Sequence, residues 1–453
     1  MNKMKMTFIY VILGLGIILS SCERYLDLKP DKSQVVPATL QDCQALLNNG
    51  INGEFLPQAV EVSSDDYVLN SSGFNTMSLE DRQTSIWQAD AQVQFGNWSG
   101  PYKRIQVANQ ILETLSKITP SVSQQTEWSR INGAALLLRS MSFFSLAQAF
   151  TLPYDPAAAD QELGIPLKLT PSLSEAISRG TVQQTYDRIL TDLQEAVTLL
   201  PDRQPSDIPS RTIPMPVRAA AQAALARVYL SMGDYPNALL HADACLQRYS
   251  TLIDYKDLDA DSYVPLEAYN AEVLYSYHSG GNVPFGNGRI LPAIYQMYVT
   301  DDLRKDIFFG PDITEPFAFT GSYQPYNIFA GLATDEVYLI RAECRARAGN
   351  TTLAMADLNL LRSKRWDNNF TPLVAATAQE ALDLIIAERR KELVYRGLRW
   401  FDLRRLNKDP RYAVTLTRTI DGQMYTLPPN DLRYALPIPR EVLEREDLPQ
   451  NRR

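Results

Sequence analysis

The chain has 453 residues, 45% of them apolar, with 44 Lys and Arg against 52 Asp and Glu and a formal net charge of −8. That composition supports a sizeable core, and the acidic balance makes the chain a poor partner for nucleic acid and for anionic lipid surfaces. Only His241 and His278 occur, which removes most metal-centre and Ser-His catalytic arrangements.

Lys3 and Lys5 precede an apolar run from Phe8 to Leu19, broken only by Gly14 and Gly16. The run is shorter than the roughly 20 residues a bilayer span needs. It closes on Leu19-Ser20-Ser21-Cys22, so residues 1–21 read as an export signal. The cysteine at the cut point makes the segment resemble a bacterial lipoprotein signal, with Cys22 as the lipid-modified N-terminus. Acyl chains stabilise membrane attachment by about 0.8 kcal/mol per buried methylene, so the protein is expected on a membrane surface outside the cytoplasm. The other cysteines, Cys43, Cys245 and Cys344, are far apart and odd in number, which argues against a disulfide framework; Cys245 and Cys344 fall within helical patterns and read as buried free thiols.

Residues 22–38 contain Pro30 and Pro37, lack helical periodicity and read as an extended tether; residues 39–453 then read as a single domain. Thr39 caps a short helix from Leu40 to Asn48, stopped by Gly50. Residues 51–95 read as irregular and polar, with Ser63-Ser64-Asp65-Asp66-Tyr67 inside them. Ile105, Ala108, Ile111, Leu112 and Leu115 form one apolar helical stripe. A second helix covers 127–150. A third is capped by Thr181 and ended by Pro201, and a fourth starts at Pro216, where a missing amide proton costs nothing.

The fourth helix opens the clearest repeat. Leu225, Ala226 and Tyr229 lead to Gly233-Asp234-Tyr235 and then Ala238. The offsets are those of a tetratricopeptide unit, in which small residues let two helices approach and glycine makes the turn. Ala342, Gly349 and Ala354 repeat the spacing. Between the copies, 251–334 is rich in Tyr, Phe, Pro and Gly. It contains an expected strand over 272–277, a turn at Gly280-Gly281, and no sustained helical period. Residues 415–427 read as a hairpin about Asp421-Gly422, within a tail covering 406–453. A helical scaffold, about 98–250 and 335–405, thus carries irregular segments, the usual place for binding.

Two C-terminal segments carry a resemblance. One runs Ile386-Ala387-Glu388-Arg389-Arg390-Lys391-Glu392-Leu393 and on through Gly397-Leu398-Arg399-Trp400-Phe401-Asp402-Leu403-Arg404-Arg405. The other is Tyr434-Ala435-Leu436-Pro437-Ile438-Pro439-Arg440-Glu441, ending in Gln450-Asn451. With Trp98, Tyr102, Ile105 and Asn109, and with Gly164-Ile165-Pro166-Leu167, they resemble the RagB/SusD family of outer-membrane nutrient-binding lipoproteins from Bacteroidetes. Arg396 and Glu444-Arg445-Glu446-Asp447 depart from the family's usual pattern, and both read as scaffold variation. The resemblance implies a mainly α fold of about four tetratricopeptide-like helix pairs, a right-handed scaffold whose insertions form the ligand face. It also implies a TonB-dependent, SusC-like outer-membrane transporter as partner, which the lipoprotein covers as a lid while capturing oligosaccharide or, in some members, peptide.

Read from its residues, the C-terminal motif is structural. Glu388, Arg389, Glu392 and Arg399 alternate charge beside Leu393, Trp400, Phe401 and Leu403, a partly buried ion-pair lattice turning at Gly397. A saccharide site needs flat aromatic faces and short polar groups for hydroxyl pairs. The irregular segments offer Asp65, Asp66, Tyr67, Trp87, Tyr295, Tyr298, Phe317, Phe319, Tyr323 and Tyr326 as candidates. Asp65-Asp66 alone fall short of the six to eight oxygens that calcium takes, so no cofactor or metal is expected. GxSxG, HExxH and P-loop motifs are absent from the sequence. No catalytic residue is assigned, and a lipid-anchored glycoside hydrolase is the weakest of three readings, behind glycan binding and peptide binding.

Overall fold

The computed structural model describes residues 37–51, 54–172, 174–175, 177–202, 215–262, 264–279, 286–309, 319–323 and 327–453. The signal, Cys22 and almost all of the tether lie outside them, as do Gly280-Gly281, Phe317 and Tyr326.

Helix α1, Leu40–Ile51, starts where Thr39 and Asp42 bond reciprocally, each side chain accepting the other's backbone N–H at 3.0–3.1 Å. Gly50 does not stop it; the helix runs one residue further. Helix α2, Gly96–Ser116, buries the expected stripe of Ile105, Ala108, Ile111 and Leu115. Helix α3, Gln125–Phe150, is buried on all sides from Gly133 onward. It is long and apolar enough for a membrane span, yet its apolar window lies wholly inside the protein, as befits the central helix of a core. Helix α4, Val182–Leu199, begins with a capping box between Thr181 and Gln184.

Helices α5, Arg218–Met232, and α6, Tyr235–Arg248, form one hairpin. Helices α7, Thr334–Arg347, and α8, Thr351–Ser363, form another. Gly233 and Gly349 sit at the two turns with φ of +78° and +81°. The next residue caps the following helix in both: Asp234 accepts from the Asn237 N–H, and Asn350 from the Leu353 N–H. No atom lies within 4 Å of a Cβ built on either glycine. The left-handed backbone, not crowding, selects glycine there. Six alanines on α5 are buried, which brings its neighbours close.

Helices α9, Ala378–Glu392, and α10, Arg399–Leu406, complete the scaffold. From α2 to α8 each helix packs on the next, and α9 packs on α7 and α8. Helix α6 packs directly on α7 although residues 249–333 lie between them. The insertion therefore leaves the helical array unbroken. The architecture is the mainly α, tetratricopeptide-like one that the sequence implied.

Residues 54–95 are more ordered than an irregular segment. Short helices cover Gln58–Val62, Ser71–Thr76 and Leu79–Ser85. Asn70 and Ser78 cap the last two, accepting from Gly73 and Asp81 N–H groups; local caps supply what apolar periodicity does not announce. Strand Tyr67–Leu69 pairs antiparallel with Gly288–Ile290, and Glu54–Leu56 pairs parallel with His278–Ser279. The two segments read separately in the sequence are thus one body. It has its own core, including Tyr67, Ile290, Ile294, Tyr298, Phe308 and Tyr323, which also takes in Val394 and Tyr395 of the C-terminal motif. The expected strand over 272–277 is shorter, Val273–Tyr275, and pairs with Leu332–Ala333. The Leu416–Ile420 and Gln423–Leu427 hairpin turns at Asp421-Gly422, both with positive φ.

Candidate functional site: an inserted body anchored by buried ion pairs

The body built from 54–95 and the described parts of 251–333 is held on the scaffold by charge. Arg399 Nε and Nη2 donate to both Asp65 oxygens at 2.6 and 3.0 Å. Arg390 Nη2 donates to the same carboxylate at 3.0 Å, and its Nε lies 3.4 Å from Asp66. Burial raises the Asp65 pKa, but the Arg399 and Arg390 charges outweigh it and hold the group well below the carboxylate range. Burial dominates at Asp66, against the opposing Arg390 charge, and pushes it up to about 6. Burial, reinforced by Asp66, pushes Glu61 up to about 8.

A second knot joins the insertion to α9. Arg304, fully buried, donates to Asp302, Glu388 and Glu392. Arg365, also fully buried, bridges Glu392 at 2.7 Å and Glu272 at 2.8 Å. Lys391 reaches Asp302 at 2.6 Å. Arg396 pairs with Asp335 at 2.9 Å and lies 4.6 Å from the Tyr323 and Phe329 ring centroids. The lattice expected at Glu388, Arg389, Glu392 and Arg399 is therefore real and deeper than partly buried. It holds two bodies together rather than decorating one helix.

These contacts revise the candidate ligand residues. Asp65 spends its oxygens on two arginines, and Asp66 is 1% exposed beneath Arg390, so neither is free to pair sugar hydroxyls. Tyr67 is 2% exposed and donates to the Val62 carbonyl at 2.6 Å. Trp87, 2% exposed with φ +53°, donates to the Ser63 carbonyl at 2.9 Å. Arg418 lies over both rings, at 4.3 and 5.2 Å. Tyr298 donates to the Lys391 carbonyl at 2.8 Å, and the Tyr323 hydroxyl meets Glu272; both rings are buried. A ring enclosed in core has no face to offer a sugar, so Tyr67, Trp87, Tyr298 and Tyr323 are packing residues here. Tyr295 and Phe319 remain half-exposed. Tyr295 meets Phe309 edge-on at 5.2 Å with the Lys305 ammonium 5.5 Å from its ring, and Phe319 packs on Tyr395 at 5.1 Å. Phe317 and Tyr326 lie outside the described residues.

Oxygens of Glu272, Asp335 and Glu392 lie within 4.8 Å of one another, a metal-like spacing. Arg365 and Arg396 already supply the positive charge there, which makes the cluster an ion-pair knot. Sequence reasoning missed Arg304, Arg365 and Arg418. Arg418 had a signal: it shares strand parity with Leu416 and Ile420, and all three are buried.

Profile comparison matches residues 24–230 to a family described as "Starch-binding associating with outer membrane" and residues 334–451 to the SusD family. The chain belongs to the SusD/RagB family. Among its relatives, SusD-like protein P2 of Formosa agariphila is 25% identical over 380 residues, covering 68% of this chain and 71% of the relative. A SusD superfamily protein from Bacteroides thetaiotaomicron superposes with a TM-score of 0.69 at 22% identity, over 92% of this SusD-like chain and all of that one. Surface glycan-binding protein A from Bacteroides uniformis gives 0.70 at 18% identity, over 91% and 98%. At these identities the two solved structures speak for the fold.

Proposed function

We propose that this SusD-like protein is a surface-exposed outer-membrane lipoprotein that binds oligosaccharide and delivers it to a TonB-dependent transporter. Cys22 carries the anchor in this reading. The observation that carries the binding role is the joining of 54–95 and 251–333 into one module, mounted on an unbroken helical array by buried ion pairs. A rigid scaffold presenting loops is the arrangement that positions recognition groups. The family's description and the glycan-binding name of one structural relative support saccharide as the ligand class. The half-exposed Tyr295 and Phe319 are the proposed contacts. The protein does not turn its ligand over.

Calorimetry against panels of oligosaccharides and peptides, with a product assay for cleavage, tests the reading. Saccharide binding that weakens in Tyr295→Ala without a change in melting temperature is expected. Binding to peptides alone, or turnover of any glycan, overturns it. For the anchor, Cys22→Ala is expected to leave the membrane fraction; retention there, with no palmitate labelling of the wild type, refutes it.

A further inference from the structure

A groove of about 380 Å³ opens beside the first two turns of α2, a size within the roughly 300–1,000 Å³ of small-ligand pockets. None of the candidate residues of the ligand module lines it. Phe95, Trp98 and Tyr102 do, spaced three and four residues apart so that they share one helix face. Trp98, 5% exposed, is a core ring that backs the groove 5.1 Å from the Tyr102 ring, and Phe95, 39% exposed, supplies the open aromatic face. The groove is also lined by Lys103 and Lys168 and by Glu441, Arg445 and Glu446 from the C-terminal segment.

The rim charges differ from those of the interior. Arg304, Arg365, Arg390, Arg396 and Arg399 at the module joint all face carboxylates, whereas Lys103, Lys168, Arg445 and Glu446 have no salt bridge among the described residues. An aromatic face lined with uncommitted cations and with carboxylates has a matching ligand. It is a ring with an apolar C–H face, an anionic substituent and several hydroxyl donors.

We propose that this groove is a second binding site, sharing only the edge residue Phe95 with the module, for a pyranose carrying a carboxylate or a sulfate. The anion lies toward Lys103 and Lys168, and hydroxyls donate to Glu441 and Glu446. The proposal rests on the saccharide-binding reading for its ligand class but on different residues for its site.

Isothermal titration of the full-length protein with tri-galacturonic acid, a sulfated galactan tetrasaccharide and neutral maltotriose tests it. The two anionic probes distinguish carboxylate from sulfate. Lys103→Glu, Lys168→Glu and Phe95→Ala replace exposed or half-exposed side chains, and thermal melts verify that each variant folds. At least one anionic probe is expected to bind with a salt-dependent Kd that rises about tenfold or more in Lys103→Glu and Lys168→Glu, the loss of one charge-assisted contact, and about tenfold in Phe95→Ala, the loss of the apolar stacking face. Failure of both anionic probes to bind wild type overturns the proposal, as does binding that these variants leave unchanged. Anionic-probe binding lost in Tyr295→Ala but kept in Lys103→Glu overturns the groove while leaving the module and its function standing. Maltotriose binding weakened as much as anionic binding by Lys103→Glu overturns the assignment of an anionic ligand.

Discussion

Glu61→Gln isolates one buried charge at the joint between module and scaffold. Glu61 is 1% exposed; Ser64 Oγ donates to Oε1 at 3.3 Å, and Oε2 has no hydrogen-bond partner. Burial, then the neighbouring Asp66, raises its pKa from 4.5 to about 8. A group whose folded pKa lies above its unfolded value contributes stability fully present below the unfolded pKa. That contribution is lost as pH rises through the folded pKa. At 1.36 kcal/mol per unit, the loss between pH 4.5 and 7 is about 3 kcal/mol. Glutamine has no proton to lose, so its stability escapes this slope. Whatever constant offset the amide introduces, the difference between variant and wild type should drift by about 3 kcal/mol in favour of glutamine over that range. Urea unfolding of both proteins at pH 4.5, 6 and 7 reads this directly. A difference that stays constant with pH would show that Glu61 is not a carboxyl held neutral by its surroundings.

Gly397→Ala should cost more than about 2 kcal/mol, because φ is +68° and the new Cβ would meet Leu56 Cδ2 at 2.1 Å. Gly349→Ala, with the same strain and open space, should cost only about 1 kcal/mol; equal losses in denaturant melts would refute the distinction. Asp65→Asn should destabilise by about 3 kcal/mol, since it removes the charge partner of both Arg390 and Arg399. A melting temperature matching wild type, with weakened saccharide binding, would return Asp65 to the ligand site. Trp87→Ala and Tyr323→Ala should each cost about 3–5 kcal/mol; unchanged melts would put those rings back at the surface.

What could be read along the chain was what repeats or caps locally. The Gly233 and Gly349 turns, the Thr181 cap, the stripe on α2 and the Asp421-Gly422 hairpin each depend on residues within a few positions of one another. Backbone geometry ties such residues to one shape in any context. The long C-terminal motifs carried the family for the same reason, as contiguous strings.

Tertiary structure decided the rest. Nothing near Asp65 in sequence announces Arg390 and Arg399, more than three hundred residues away. The same carboxyl reads as a ligand group beside Ser64 and as an anchor beside two guanidinium groups. Composition cannot distinguish an aromatic packed under a loop from one offered to solvent, and Trp87 and Tyr323 fell on the buried side. Long-range pairing also merged 54–95 with 251–333, through strands of two or three residues too short to leave a period. Tyr67 and Tyr298 belong to a core that exists only after that merger, so their burial was decided by the partner segment and not by their own neighbours.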